Sequence, residues 1–496
     1  MPNPKLSTAC AAAACLVLLS ACALAPAYAP PPVATPAAFK EATPWQAAQP
    51  LDTKPRGAWW TMFGDPVLDD LEARALAANP TLAQAVAAYD QARSLTDQAR
   101  SARFPEVDGL VSGERLHRSD NTPLRTGGPD TYSDLQAGVS AAYEIDLWGR
   151  VRSSISAAKA DQQASAADLE SVRLSLQAQL ADAYLSLREL DAQGVLLSDT
   201  AEAYDRALRL IQIRNTGGSA SGLDVARAQT QLSTARAQTS DVAGRRALLE
   251  HAIAALVGEP ASTFALPAST TALQQPQIPA GTPAVLLQRR PDVAGAERRA
   301  AAANARIGVA QAARFPGLTL GGAAGWRSAG GVSLLSAPNT FWMIGPQLAG
   351  AIFDGGRRRA GVETARAEFR QSAAAYRGTV LDAFRDVEDQ LALAHHLADE
   401  AVDQAEAVSA ARRQQDLALV RYRQGASDYL SVVVAQTAAL DAERADLNLR
   451  YRRLRTSVDL TRALGGPWSA ASQSDGPSEA QVAPGSPATA QLNAGP

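Results

Sequence analysis

The chain changes its hydrophobic period in a fixed order, from helical to strand-like and back to helical. Residues 67–103 carry apolar side chains at helical spacing, which predicts a leading helix that begins after Asp65-Pro66. Residues 134–147 then alternate apolar and polar side chains almost without a break, and residues 106–114 alternate more weakly. These two segments predict a β-hairpin over residues 104–147, with a long polar loop between its strands.

A long helix and a shorter returning helix follow the hairpin. The long helix is predicted over residues 150–213, because its apolar residues keep the four-three spacing of a heptad seam. A glycine-bearing turn at 216–219 ends it, and the returning helix is predicted over residues 223–257. At about 1.5 Å per residue the long helix extends for roughly 100 Å, which no compact domain accommodates.

The same order of elements occurs twice, which indicates an internal tandem repeat. Ala-Arg-Phe-Pro at 102–105 returns at 313–316, and Ala-Gln-Thr at 228–230 returns at 435–437. Ordered matches at nearly constant offsets show that one structural unit is used twice. The second unit is predicted to contain a helix at 284–314, a β-hairpin at 315–353, a long helix at 357–423 and a returning helix at 429–464.

Repeat 1 therefore covers residues 57–258, repeat 2 covers residues 284–465, and residues 259–283 link them. Each hairpin strand has about ten residues, which matches the roughly 9 to 11 that cross a bilayer as a tilted strand. Four strands cannot close a membrane barrel, because the smallest barrels have about eight, so several chains must contribute. The alternative left open by the pattern is two hairpins inside a soluble α+β domain.

The first 21 residues have the pattern of a secretory signal peptide. Lys5 supplies the positive charge, residues 11–19 form an apolar segment too short to span a bilayer, and Leu19-Ser20-Ala21-Cys22 resembles a bacterial lipoprotein box. We therefore expect cleavage before Cys22 and a covalent lipid on that cysteine, which holds a protein at a membrane surface. A plain signal peptide followed by a chance cysteine is the alternative.

Both ends of the mature chain are predicted to be tails. Residues 22–56 are rich in Pro and Ala, which predicts an extended, lipid-anchored leader. Residues 466–496 contain almost no large apolar side chain and cannot bury enough surface to fold alone, so they are predicted to be disordered.

Composition and motifs argue against an enzyme and against a nucleic-acid-binding protein. The chain is 46% hydrophobic but only 5% aromatic, and a formal net charge of −3 gives no positive excess for a nucleic acid. It has no GxxxxGK[ST] phosphate loop, no HExxH zinc motif and no GxSxG nucleophile elbow, so no cofactor is expected besides the lipid on Cys22. His395-His396 could suggest a metal, but adjacent helical residues point about 100° apart and lack a third ligand, which favours a solvated helix face.

Five segments carry a resemblance to a known family, and together they span most of the mature chain: Trp59-Trp60-Thr61-Met62-Phe63-Gly64-Asp65-Pro66, Tyr143-Glu144-Ile145-Asp146-Leu147-Trp148-Gly149-Arg150, Arg289-Arg290-Pro291-Asp292-Val293, Ala302-Ala303-Asn304-Ala305-Arg306-Ile307-Gly308-Val309-Ala310 and Ile352-Phe353-Asp354-Gly355-Gly356-Arg357. The chain resembles the TolC-type outer-membrane factors of bacterial tripartite efflux and secretion systems, and within them the NodT-like lipoproteins.

The resemblance implies an α+β membrane protein that assembles as a homotrimer. Three chains, with four strands each, would form a twelve-stranded β-barrel in the outer membrane, continued by a long periplasmic α-helical barrel of twelve columns. The 259–283 linker and the chain termini would form an equatorial girdle. The implied function is that of an exit duct, which passes small molecules such as drugs from an inner-membrane pump and a periplasmic adaptor to the outside.

The alternative function is that of a periplasmic coiled-coil adaptor or a structural envelope lipoprotein. Two alternating hairpins joined to duplicated helices favour the channel, because an adaptor would normally offer one hairpin and soluble β-domains.

In the resembled family the two helix turns near residues 217 and 425 lie at the periplasmic tip, where an adaptor docks and the channel closes. The candidates for tip contacts and gating are Gly218, Ser219, Asp224, Tyr422, Gly425, Ser427 and Asp428. Helix capping is the alternative role for Asp224 and Asp428. Family members often carry an Asp where this chain has Val434, so a cation-binding constriction must use Asp428 or Asp224, or the closed tip is more apolar.

Overall fold

The computed structural model describes residues 25–42, 58–119, 121, 129–276, 278, 290–330 and 333–466. The predicted signal peptide, residues 22–24 and 43–56 of the leader, including Cys22, residues 277 and 279–283 of the linker, residues 284–289 of the helix predicted over 284–314, and residues 467–496 of the tail lie outside the described residues. The helices and strands in the described ranges are, in chain order, α1 (Pro66–Ala78), α2 (Pro80–Ser101), β1 (Glu106–His117), β2 (Thr131–Ile145), α3 (Arg150–Thr216), α4 (Gly222–Leu256), α5 (Pro291–Ala312), β3 (Gly317–Ser328), β4 (Thr340–Ala349), α6 (Arg357–Arg423) and α7 (Tyr429–Ala463).

The two long helices, α3 and α6, begin in the same way. Each has 67 residues, or roughly 100 Å of helix. Each follows a glycine with a positive φ, 75° at Gly149 and 89° at Gly356, a conformation that other residues resist. Asp146 and Asp354 then accept hydrogen bonds from backbone amides at these helix starts, which would otherwise lack partners.

The prediction of one leading helix over residues 67–103 is wrong, because α1 and α2 are separate helices. Pro80 has no N–H for a helical hydrogen bond and biases Asn79 towards extended backbone, which Asn79 adopts at φ −67° and ψ 124°. The Asn79 side chain accepts from the Leu82 amide at 3.0 Å, which caps α2, and donates to the carbonyl of Leu256 at 2.8 Å. The break therefore ties the start of α2 to the end of α4.

The other helices lie close to their predicted ranges. Where the sequence predicted a helix over 284–314, α5 begins at Pro291, a residue favoured in a first helical turn, and ends at Ala312. The long helix predicted to end at residue 213 continues to Thr216, and α6 covers the 357–423 range predicted for it. In the part of the chain that the structure describes, no helix has the length and apolar character needed to cross a membrane.

The four strands form one antiparallel sheet in the order β1-β2-β3-β4, so that β2 and β3 join the hairpins of the two repeats. Gly138 lies opposite Gly325, where the backbones approach so closely that a Cβ on Gly325 would lie 2.3 Å from the carbonyl oxygen of Ala137. Pro346 is accommodated on β4, an edge strand within the chain, opposite Leu320. Among the described strands, β1 and β4 each pair on one side only.

The short helices stack end to end beside the long ones. Near the sheet end of α3, Thr96 of α2 donates to the carbonyl of Ala158 on α3 at 3.0 Å. Further down, Arg246 of α4 binds Asp191 on α3 at 2.6 Å. Because Asn79 joins α2 to the end of α4, these two helices form one column along α3.

Four clusters of buried side chains hold the described helices together, and the smallest, formed by Leu190, Leu197 and Val242, joins α3 to α4. The equatorial core, near the middle of α3, includes Phe63, Leu71, Tyr184, Leu187 and Ile253. The leader core packs Phe39 against α5, α6 and α7. The tip core, at the far end of α3, contains Tyr204, Leu208, Ile211, Ala228, Leu232, Ala235, Tyr429 and Val432. Most of the predicted α3 seam is buried in the equatorial and tip cores, as the heptad spacing requires.

Candidate functional site

The first predicted tip turn connects α3 to α4. Gly218 adopts a positive φ of 76°, and Ser219 donates from its amide and its hydroxyl to the carbonyl of Arg214, at 2.8 and 3.1 Å. Ser221 caps α4, because its hydroxyl accepts from the Asp224 amide while the Asp224 carboxylate accepts from the Ser221 amide, both at 3.2 Å. Gly218 and Ser219 therefore terminate one helix, and Asp224 helps to start the next.

The second turn connects α6 to α7 in the same way. Gly425 has a φ of 75°. Asp428 caps α7 by accepting from the amide and the hydroxyl of Ser431, at 3.1 and 2.6 Å, and these hydrogen bonds lower the pKa of the Asp428 carboxyl. The Ser427 hydroxyl is buried without a hydrogen-bond partner among the described residues. Both predicted tip aspartates thus have a capping role.

The structure brings the two turns together through aromatic and polar contacts. The rings of Tyr422 and Tyr429 lie 5.4 Å apart between centroids, and the Arg214 guanidinium lies 4.9 Å from the Tyr422 centroid. The Tyr429 hydroxyl donates to Gln231 at 3.1 Å, and burial raises its pKa to about 12, so it remains a donor at neutral pH. The tyrosine pair of the second hairpin is therefore joined to the first hairpin through Arg214 and Gln231.

Three contributors to this tip were missed by sequence reasoning. Arg214 and Gln231 hold the tyrosine pair, and Arg227 lies 3.6 Å from Asp224 while also lowering the pKa of Asp428. Tyr422, Tyr429 and Asp428 lie about 200 residues away from these three residues in the sequence, so local patterns gave no sign of the contacts between the hairpins. The Ser-x-x-Asp capping box at 221–224, in contrast, is readable in the sequence.

A groove of about 480 Å³ runs along α6 and α7 next to the second turn. Its lining combines small or apolar side chains with two cations: Ala410, Arg413, Gln414, Leu417, Ala418, Arg421, Ser427, Ser431 and Ala435. Leu417 is 59% exposed, and Val434, which stands where the resembled family often carries an Asp, is 55% exposed. The tip thus presents an apolar and basic surface.

The described part of the leader lies along the helices of repeat 2. The Tyr28 hydroxyl donates to the Glu297 carboxylate at 2.7 Å, and the Asn304 amide donates to the carbonyl of Pro26 at 2.9 Å. A Cβ on Gly308 would lie 2.6 Å from the Cβ of Ala25. The leader therefore runs from the sheet-proximal end of α5 towards the middle of the helical body.

One group of potential metal ligands occurs in the described ranges, formed by His395, His396 and Asp399 on α6. The sequence argument that the histidines lack a third ligand is therefore wrong, because it did not consider the residue one turn further along the helix.

Comparison with known proteins agrees with this architecture. The family model described as outer membrane efflux protein matches residues 71–259 and 282–466, one segment in each repeat. The pyoverdine export outer membrane protein OpmQ of Pseudomonas aeruginosa is 32% identical over 475 residues, which cover 94% of this chain and 97% of the relative. The toluene efflux pump outer membrane protein TtgF of Pseudomonas putida is 34% identical over 463 residues, which cover 91% and 95%.

The solved structure of the outer-membrane channel OprN superposes with a TM-score of 0.83 at 29% identity, covering 90% of this chain and 99% of that chain. OpmQ and TtgF are outer-membrane proteins of export or efflux systems and OprN is an outer-membrane channel, which favours the channel over the adaptor and structural-lipoprotein alternatives. The chain therefore belongs to the outer membrane efflux protein family, and it is an outer-membrane efflux channel protein and not an enzyme.

Proposed function

We propose that three copies of this chain form a passive exit duct that crosses the outer membrane and extends into the periplasm. The observation that carries the proposal is the four-stranded sheet, whose edge strands β1 and β4 each pair on one side, at one end of helices of roughly 100 Å. Unpaired strand edges are unfavourable in a membrane, and three such sheets edge to edge give a closed barrel of twelve strands.

Apolar side chains that a single chain leaves exposed support the same assembly. Leu248 on α4 and Leu381 on α6 are 69% and 63% exposed. Helices that continue side by side into neighbouring copies would cover such residues, as in a coiled coil. The helical columns then enclose a water-filled tunnel through which cargo diffuses.

A periplasmic adaptor, or membrane fusion protein, docks on the tip in this proposal and connects the duct to an inner-membrane pump. The α6–α7 groove offers Leu417 as an apolar contact, with Arg413 and Arg421 beside it. A helical hairpin with an apolar stripe and acidic neighbours has the matching chemistry. Substituting Arg413 and Arg421 together with Glu is expected to abolish export without reducing the amount of trimer, whereas unchanged export contradicts docking in this groove.

The tip turns also form the gate of the duct in this proposal. Gly218, Ser219, Gly425 and Ser427 shape the two turns, and contacts of Tyr422 and Tyr429 with residues of the first hairpin hold the turns together. Opening requires the hairpin ends to move apart. The contacts that resist this movement are the Arg214–Tyr422 and Tyr429–Gln231 interactions.

A lipid on Cys22 anchors the leader to the inner face of the outer membrane. Cys22 lies outside the described residues, but Ala25, three positions later, packs against Gly308 near the sheet end of α5. This position keeps a lipid chain at residue 22 within reach of the membrane. Cys22→Ser is expected to abolish labelling by a fatty-acid analogue such as alkynyl palmitate, and unchanged labelling would refute the anchor.

The cargo is expected to be small organic molecules, because the relatives' names refer to pyoverdine and toluene. A wide duct leaves most of the selectivity to the pump that it joins. Deletion of the gene, followed by profiling of sensitivity to drugs, solvents, dyes and metals, identifies the cargo class.

Detergent extraction and sizing test the assembly directly. The purified protein is expected to require detergent and to migrate as a trimer, with a chemical cross-linking series that stops at three chains. A monomer released from membranes by salt alone contradicts the duct and supports a peripheral lipoprotein.

A further inference from the structure

His395, His396 and Asp399 lie together on the surface of α6. Nε2 of His395 is 3.7 Å from Oδ2 of Asp399, and the two imidazole centroids are 5.3 Å apart. Each residue offers one ligand atom, and these three atoms all lie within 4.8 Å of one another. The group is separate from the tip turns, from the sheet and from the described leader contacts.

Asp399 completes a ligand set that the two adjacent histidines cannot form alone. The adjacent histidines point about 100° apart around the helix axis, which is too far for a chelate by themselves. Asp399 follows His395 by four residues and His396 by three, the two spacings at which helical side chains are neighbours. The carboxylate therefore lies between the imidazoles, one turn further along the helix.

The donor set suits a transition-metal dication. Two imidazole nitrogens favour Zn²⁺, Cu²⁺ or Ni²⁺ over Mg²⁺ or Ca²⁺, and a carboxylate oxygen is a common additional ligand in zinc sites. Metal–ligand distances of about 2.0–2.2 Å require ligand atoms roughly 3.3 Å apart. The His395–Asp399 pair is close to this separation, and His396 is exposed, so a rotamer change can bring it to the metal.

We propose that His395, His396 and Asp399 form a transition-metal binding site on the outside of the α6 helix, with Zn²⁺ or Cu²⁺ as ligand and water in the remaining coordination positions. The site binds free metal ions reversibly because it uses three ligands from one exposed helix segment. It does not depend on the cargo or on the adaptor.

Binding is tested on the untagged, full-length protein purified in detergent. Isothermal titration with Zn²⁺ is expected to give one site per chain. His395→Gln and Asp399→Asn are each expected to weaken that site by at least about tenfold, because each removes a direct ligand. His251→Gln is the matched control, because His251 is an exposed histidine on a helix outside the group, and its titration is expected to match the wild type.

A spectroscopic readout identifies the ligands. The Cu²⁺ form is expected to show coupling to two nitrogens in its electron paramagnetic resonance spectrum, and His396→Gln is expected to reduce this to one. Zn²⁺ affinity that is unchanged in the triple variant His395→Gln, His396→Gln, Asp399→Asn overturns the proposal, and so does a wild-type protein that binds no Zn²⁺ or Cu²⁺. Either result leaves the proposed duct unaffected, because trimer formation and export are measured separately.

Discussion

Arg188 donates to Asp191 across 2.8 Å, and their side chains are only 4% and 1% exposed. The same aspartate accepts from Arg246 of α4 at 2.6 Å and from the backbone amide of Ser269 at 3.1 Å. Arg188 also donates to the carbonyl of Pro267 at 2.9 Å. A buried ion pair within α3 therefore fixes the returning helix and the start of the linker at the middle of the molecule.

Asp191→Ala is expected to destabilise the protein by about 3–5 kcal/mol. The substitution removes the buried carboxylate that pairs with both Arg188 and Arg246, and the two positive charges are left close together. Thermal unfolding of the purified protein in detergent measures the effect. The control is Glu363→Ala, which breaks the exposed Glu363–Arg366 pair and is expected to change the melting temperature much less. Equal losses in the two variants would show that burial does not distinguish these pairs.

Glu72 on α1 is completely buried, and neither carboxylate oxygen has a hydrogen-bond partner in the described part of the chain. Burial, with a smaller contribution from Asp69, raises its pKa to about 9 from an ordinary value of 4.5. Between these two pH values the folded chain keeps a proton that the unfolded chain has lost. Stability therefore falls as pH rises through this window, by up to about 1.4 kcal/mol per pH unit.

Glu72→Gln removes this titration, so the variant is expected to gain stability relative to the wild type between pH 5.5 and pH 8.5. Melting temperatures of both proteins at the two pH values measure the change. Glu363→Gln, at an exposed position, serves as the control and is expected to show the same difference from wild type at both pH values. If the effect of Glu72→Gln were the same at both pH values, the buried Glu72 carboxyl would not be the source of the pH-dependent loss of stability.

The repeats and the long helices could be predicted because their signals are local and periodic. Gly356 and Gly425, for example, mark the two ends of α6 in the sequence. The Asn79–Pro80 break was missed because apolar spacing continues across it, although the proline itself is a readable signal. Arg188, Glu72 and Arg214 look like surface residues in a sequence window, because the segments that bury or pair them come from distant parts of the chain.

The closeness of β2 and β3 predicts a position-specific effect within one strand. Gly325→Val places side-chain atoms against the carbonyl of Ala137 on β2. The variant is therefore expected to prevent the pairing of β2 with β3, which joins the two hairpins, and to reduce the amount of detergent-stable trimer. Gly321→Val is the matched control on the same strand and the same face, because a Cβ there meets nothing within 4 Å in the chain. Sizing of detergent extracts of membranes measures the trimer yield of the two variants. Equal yields would contradict the close approach of the β2 and β3 backbones at Gly325.

The close contact between Gly308 and the leader predicts that a larger side chain at this position releases the leader from the helices. A leucine at this position would collide with Ala25 and with the Ser153 hydroxyl, which lies 2.7 Å from an added Cβ. Gly308→Leu is therefore expected to make the leader accessible to limited proteolysis while the helical body remains resistant. Gly361→Leu, also in a helix but with open space around its Cβ, is expected to keep the wild-type cleavage pattern.

Asp428 combines two roles that substitutions can separate. Asn at this position keeps a side-chain oxygen that can cap α7 but removes the negative charge, whereas Ala removes both. If charge at the tip gates the duct, Asp428→Asn and Asp428→Ala are both expected to give larger or longer openings in planar bilayers. If capping alone matters, only Asp428→Ala changes the openings, because the start of α7 then frays at Tyr429. Identical conductance of both variants and the wild type would contradict a gating role for Asp428.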